Sequence, residues 1–302
     1  KVDTESEISL EPTENPENPT IQDGVTEGYP YVDHYTVAGY KLVGETTAAK
    51  IAEYLKIGLR PELEPEPYEG EITSSNERLI VSYKYSGTAS LIPTFDTTFD
   101  YRIIDSKDAN GYTDRKIISS YVPSRISFQA KSALRELRYI DSSRLNTGYG
   151  MFYNCSNLTY VNMPYVTYIA TMEGMFNGCR KLQRIEGIEK WNTARNSNWG
   201  STFGSCNALT NLDPRNFILT DAHAMGATFR GCYSAPIENF DFSNWCTPNI
   251  QYLSGTFDGL KSVIELDVST FDVSSVGDLQ GVFQGCTNLQ RVNISNWKLT
   301  EK

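Results

Sequence analysis

Six apolar residues near the C-terminus, Phe257, Leu260, Val263, Leu266, Val268 and Phe271, recur as Phe283, Cys286, Leu289, Val292, Ile294 and Trp297, each displaced by 26 residues. A constant offset marks a repeat, and its unit can be written F-x-x-C-x-x-L-x-x-L-x-L. The same pattern occurs at Phe152, Cys155, Leu158, Val161 and Met163, at Phe176, Cys179, Leu182 and Ile185, and at Phe203, Cys206, Leu209 and Leu212. Phe229 and Cys232 open a further copy in which extra residues around Pro236 delay the pattern to Ile237, Phe240, Phe242 and Trp245. A degenerate copy precedes them all, with Phe128, Lys131, Leu134, Leu137 and Tyr139. Repeats of this period predict a solenoid, because one unit cannot bury its apolar face alone. The L-x-L end of each unit alternates with period two, so Leu266 and Val268 share one face of a short strand while Glu265 and Asp267 point away. Stacked at roughly 4.8 Å, such strands make a parallel sheet, and each copy buries five or six side chains worth roughly 1.5–3 kcal/mol apiece before entropy is charged.

The units resemble the leucine-rich repeats of BspA-type surface proteins, whose repeats run approximately MFxxCxxLxxLDLSxFDTSxVTxM. Residues 266–279, LDVSTFDVSSVGDL, carry the likeness most closely; in the third copy Trp199 occupies the Met/Leu slot. The resemblance covers about residues 123–302 and nothing before residue 120. It implies an α+β, mainly β fold: a right-handed leucine-rich-repeat solenoid of about seven coils of 24–28 residues, found on bacterial surfaces and in secreted or phage-borne proteins. It identifies no ligand.

Upstream of the repeats the composition changes. Residues 1–70 hold fifteen Asp and Glu against five Lys and Arg, whereas residues 71–302 hold 22 of each, so the net charge of −10 belongs to the first quarter of the chain. Binding to nucleic acid needs clustered cations, and an acidic arm repels phosphate, so no nucleic-acid partner is expected. Residues 1–35 are read as an acidic extended arm, too poor in large apolar groups to repay the entropy of ordering unless an assembly partner holds it. Residues 36–67 supply a short helix, capped by Thr46 or Thr47 and running to Leu55, and a stiff Pro-Glu spacer at 61–67. Residues 68–122 carry strand runs at 79–85, 99–104 and 116–118, a small antiparallel β domain that caps the end of the repeats or binds a ligand of its own. Residues 123–302 are the repeats. No apolar run reaches the roughly eighteen residues needed for a membrane span. The chain starts at Lys1 without a signal-peptide pattern, so it is expected to be processed or cut from something longer.

Residues suited to chemistry are scarce. His34 and His223 are far apart and lack metal-ligand spacing, and no catalytic residue, metal site or cofactor is expected. A nucleophilic pairing of His223 with Cys206 or Cys232 is disfavoured, because the cysteine column accepts Leu260 and is therefore an apolar slot. The thiols are expected to be reduced: stacked cysteines would have parallel Cβ directions that strain a disulfide. Trp191, Trp245 and Trp297 could stack on sugars, but Trp245 and Trp297 share the position of Phe271 and fit core packing better.

The most informative surface is the outward strand face, which runs from Glu136 and Arg138 through Tyr160 and Asn162 to Arg291 and Asn293. Its candidate binding residues are Arg184, Glu186, Asn211, Asp213, Asn239, Asp241, Glu265 and Asp267. Such a polar ladder suits a protein, a glycan or a cation, or is a solvated face that keeps the sheet soluble. The expected function is non-catalytic recognition or adhesion on an extracellular surface, with a protein or glycan ligand on this face. The alternative is a bacteriophage virion component, a fibre, decoration or receptor-binding protein, anchored through its N-terminal arm.

Overall fold

The structure, a computed structural model, describes residues 77–235, 242 and 245–298. The arm, the helix expected at 46–55 and the Pro-Glu spacer lie outside the described residues. The described part belongs to one compact unit, Glu69–Lys302. Its strands are β1 (Arg78–Tyr85), β2 (Thr94–Phe95), β3 (Arg102–Lys107), β4 (Thr113–Ser119), β5 (Ile126–Ser127), β6 (Leu134–Ile140), β7 (Tyr160–Asn162), β8 (Arg184–Glu186), β9 (Glu265–Asp267) and β10 (Arg291–Asn293).

The largest sheet has the order β3-β4-β1-β6-β7-β8. β3 and β4 form a hairpin because Asp108 can make an Asx turn: its Oδ1 accepts from the amides of Asn110 and Tyr112 at 2.9 and 3.0 Å, and Gly111 supplies φ 78°. β1, rich in β-branched and aromatic residues, is covered on both faces and joins β4 and β6 antiparallel. From β6 onward the pairing is parallel, with Leu137 opposite Val161 and Val161 opposite Ile185. One sheet therefore runs from the N-terminal hairpin into the first repeats.

The expected leucine-rich-repeat solenoid is corrected by this topology. The described residues are almost all β, hold no α-helix and form no continuous parallel sheet; only two short 3-10 turns occur, Ile188–Lys190 and Pro214–Asn216. The six-stranded sheet is mixed, and its parallel part ends at β8; β9 and β10 form a separate parallel pair, and β2 and β5 an antiparallel one. A local reason is visible after β8. The Asn211 side chain accepts from the Ile185 amide at 3.0 Å and donates to the Ile185 carbonyl at 2.7 Å, taking the place of a neighbouring strand's backbone. Pro214, which has no N–H for a ladder, then opens a 3-10 turn capped by Asp213.

Order from copy to copy is carried by the turn around each anchor phenylalanine. The rings of Phe128, Phe152, Phe176, Phe203, Phe229, Phe257 and Phe283 stack in sequence with centroids 5.3–6.0 Å apart and planes within 11° of parallel. The residues two before and two after the phenylalanine have positive φ in each copy from Phe152 onward. Glycine fills many of these positions, as at 174, 178, 255 and 259, while Asn154, Ser201, Ser205 and Ala227 accept the left-handed region without that freedom. This backbone sends alternate amides to the next copy: Gly174, Phe176 and Gly178 donate to the carbonyls of Gly200, Thr202 and Gly204, each at 2.8 Å. The amides between them turn back, Met175 to Met172, Asn177 to Gly174 and Cys179 to Phe176. Every anchor turn from Phe152 to Phe257 repeats this scheme, and the Phe128 turn keeps two of its three forward bonds, so these backbone bonds all run in one direction along the chain.

Phe203 is fully buried between Phe176 and Phe229. Its replacement by alanine is expected to cost about 3–5 kcal/mol, read from the urea midpoint. A midpoint equal to that of the parent protein would contradict the stacked column.

Candidate recognition face

The strand face predicted from the period-two alternation is assembled in part. In β6, β7 and β8, Glu136 is opposite Tyr160 and Tyr160 opposite Arg184, with Asn162 opposite Glu186. Arg138 bonds Glu136 at 3.0 Å and reaches Asp114 of β4 at 2.8 Å; Arg184 bonds Glu186 at 2.6 Å. The Arg184 guanidinium holds the Glu186 carboxyl below its ordinary range, and Glu186 in turn raises Arg184. Tyr160, half-buried between these pairs, has its phenol pushed up by burial and then by Glu186. The result is an aromatic ring flanked by two self-neutralising ion pairs on a three-strand parallel platform.

The remaining predicted residues do not join this platform as a ladder. Asn211 is turned onto the Ile185 backbone, and Asp213 accepts from the Arg215 amide at 3.1 Å and from its Nε at 2.9 Å. That arginine holds the Asp213 carboxyl down. Asn239 and Asp241 lie outside the described residues. Glu265 and Asp267 sit on β9, in the separate two-stranded sheet, where Glu265 pairs with Arg291. Asp267 accepts from the Ser269 hydroxyl at 2.6 Å, from the Ser269 amide at 2.9 Å and from Asn293 at 3.0 Å, bonds that lower its pKa. These acidic groups have internal partners and do not converge; among the described residues no three His, Cys, Asp or Glu side chains gather as a metal site.

Sequence reasoning missed the ion pairs that knit the hairpin. Arg115, whose side chain is only 5% exposed, bonds Asp105 at 2.6 and 2.7 Å, Ser90 at 2.7 Å and the Leu91 carbonyl at 2.8 Å. The signal was the turn at 108–111: counting outward from it places Asp105 directly opposite Arg115. A cavity of about 360 Å³ is lined by Thr94, Phe95, Arg125, Ser127 and Lys131 among others.

The cysteine column is chemically more specific than an apolar slot. Sγ of Cys155, Cys179, Cys206, Cys232 and Cys286 each donates to the carbonyl of the anchor phenylalanine one copy earlier, at 2.9–3.2 Å. All are free thiols, and burial pushes Cys155 and Cys232 up to about 12. A protonated thiol is both the right size and the right donor. His223 is exposed, with Nδ1 2.8 Å from the Asp221 carbonyl oxygen, while Cys206 and Cys232 turn inward to their carbonyls. The tryptophans follow the same logic: indole N–H groups of Trp191, Trp245 and Trp297 donate to the carbonyls of Met163, Pro214 and Val268 at 2.7–2.9 Å. They pack the interior instead of offering faces to sugar.

Stacked aromatic turns joined to a polar strand platform define a repeat protein. The family described as "Mycoplasma protein of unknown function, DUF285" matches residues 146–244 and 223–302, more than half of the chain, and the chain belongs to that family. This match corrects the BspA-type leucine-rich-repeat resemblance: no leucine-rich-repeat or BspA family model accompanies it. No curated protein and no solved structure matches the chain. Among the described residues no helix is long and apolar enough to cross a membrane.

The thiol column predicts a pH dependence. Each buried thiol has a folded pKa above its unfolded value near 9, so the folded state holds the proton longer and stability falls as pH rises from about 9 toward 12. Cys232→Ser keeps a donor for the Phe203 carbonyl and removes the titration, so its urea midpoint should fall less than that of the parent between pH 9 and 11. Identical slopes would show that Cys232 is not a buried, protonated donor. In the native protein at pH 8, the exposed Cys246 should react first with an aromatic disulfide reagent.

Proposed function

We propose that the protein is a non-catalytic recognition module of an extracellular surface that binds a protein or glycan through the platform of β6, β7 and β8. The observation that carries this reading is the placement of Tyr160 between the pairs Glu136–Arg138 and Arg184–Glu186 on adjacent parallel strands. A tyrosine ring offers an apolar face with a polar tip, and flanking carboxylates and guanidinium groups offer acceptors and donors to hydroxyls or peptide groups. Tyrosine and arginine are also the side chains that most often carry binding energy at protein interfaces. Because the strands are short and hydrogen-bonded in register, the platform is rigid, so little ordering entropy is lost on binding.

The balance of charge over residues 71–302 supports recognition by shape and local pairing over long-range attraction. With Glu265 on the separate β9–β10 sheet and Asp213 beyond the last strand of the larger one, the reading centres on the earlier copies, where Tyr160 stands in register with Glu136 and Arg184. The proposed assembly partner of residues 1–35 concerns a segment outside the described residues.

A panel of immobilised glycans and bacterial and host cell-surface proteins, probed with the full chain, tests the assignment. Tyr160→Ala should weaken capture of the strongest binder by about tenfold or more, with the melting temperature nearly unchanged. Glu265→Ala, on the other sheet, should leave capture intact. Equal capture by the parent protein and Tyr160→Ala, or loss only in Glu265→Ala, would overturn it.

A further inference from the structure

The first anchor turn breaks the repeat's rule at the cysteine position. Lys131 closes that turn as the cysteines close theirs, its amide donating to the Phe128 carbonyl at 2.9 Å. The cysteines in this position also send Sγ to the anchor carbonyl one copy earlier. Among the described residues no copy precedes Phe128. Its turn is met instead by β2, where Thr94 and Phe95 pair with Ser127 and Ile126. The cavity of about 360 Å³ lies at this junction, and the lysine that replaces cysteine lines it.

The lining holds Arg125 and Lys131 and no acidic side chain. Both cations are half-buried, and neither has an ion-pair partner among the described residues. Asp96, next to Phe95 in the chain, is drawn off to Ser124, accepting from its hydroxyl at 2.6 Å and its amide at 3.3 Å. Two partly desolvated positive charges without a counter-charge favour an anion, which restores charge-assisted hydrogen bonds. Ser127, 5% exposed, accepts from the Gln129 amide at 3.3 Å and keeps its hydroxyl hydrogen as a donor. Phe95 begins a cluster of partly exposed rings, 4.8 Å from Phe99 and 5.7 Å from Tyr101. Such a ring gives an apolar surface to the C–H face of a sugar. The volume falls at the small end of the roughly 300–1,000 Å³ typical of small-molecule sites.

We propose that this cavity binds an acidic saccharide, with the carboxylate held by Arg125 and Lys131 and the ring against Phe95. Ser127 and the exposed side chains of Thr94 and Gln129 meet its hydroxyls. A neutral sugar leaves the two cations without a counter-charge, and a bare inorganic anion makes no use of Phe95. The site shares no residue with the strand platform of β6, β7 and β8, so it stands or falls separately from the function proposed for that face.

Titration of the isotopically labelled full chain with glucuronic acid, followed by NMR, tests the assignment. The amides of Ser127, Gln129 and Lys131 should shift and saturate, whereas glucose and inorganic phosphate should bind at least about tenfold more weakly. Arg125→Gln and Lys131→Met, each melting with the parent protein, should weaken glucuronic acid binding by about tenfold or more. Lys131→Arg, which keeps the charge, should retain it, and so should Tyr160→Ala on the platform. No saturable shift with glucuronic acid, equal affinity in the parent and both charge-removing variants, or phosphate binding as tightly as the sugar acid would overturn the proposal.

Discussion

The structure depends on a hydrogen-bonded turn that points one way. Left-handed residues on both sides of the anchor phenylalanines from Phe152 to Phe257 aim three amides at the next copy and three carbonyls at the previous one, and the rings then have no choice but to stack. A strand ladder alone could not hold the copies together, because strand pairing stops at β8 and resumes only at β9, with single parallel bridges such as Asn198 to Ala224 and Ala224 to Tyr252 between. The turn persists through that gap: Ser201, Phe203 and Ser205 bond Gly226, Thr228 and Arg230 although the copy that begins at Phe203 has no strand. Backbone groups buried at the turn are thereby satisfied without a continuous sheet.

The same constraint explains why cysteine and threonine occur where they do. The anchor phenylalanine carbonyl closes a turn with the cysteine amide of its own copy and accepts the next copy's thiol, as Phe176 does from Cys179 and Cys206. Thr202, Thr228 and Thr256 do similar work one residue before the phenylalanine, each hydroxyl lying near two carbonyls, such as those of Met172 and Trp199 for Thr202. The outward residues left over by this scaffold pair with one another: on β6 and β8 the pairs Glu136–Arg138 and Arg184–Glu186 frame Tyr160, and on β9 and β10 Glu265 pairs with Arg291 and Asp267 with Asn293.

Much of the core could be read in the sequence, because Phe, Cys and Leu at fixed spacing report burial directly. The sheet could not. Strand length depends on whether a neighbour offers backbone or, as Asn211 does, a side chain, and Asn in a polar outward position carries no mark of that choice. The strand runs at 79–85 and 116–118 were visible in their β-branched residues, but their fusion with the repeat sheet rests on the β1 to β6 pairing, a contact between residues 49 to 59 apart with no periodic signature. The platform was half legible: alternation placed Arg184 and Glu186 outward, while the same rule grouped Asn211, Asp213, Glu265 and Asp267 with them although two of these bond inward and two belong to another sheet. The left-handed positions were hinted at by glycine and hidden where Ala227 and Ser205 stand instead.

Scalar coupling across hydrogen bonds, measured by NMR on deuterated, doubly labelled protein, tests the one-way turn most directly. The account predicts couplings from the amide nitrogens of Phe152, Phe176 and Phe203 to the carbonyl carbons of Met175, Thr202 and Thr228. Couplings from those amides to an earlier copy, or none while the Phe203 amide exchanges freely with solvent, would contradict it.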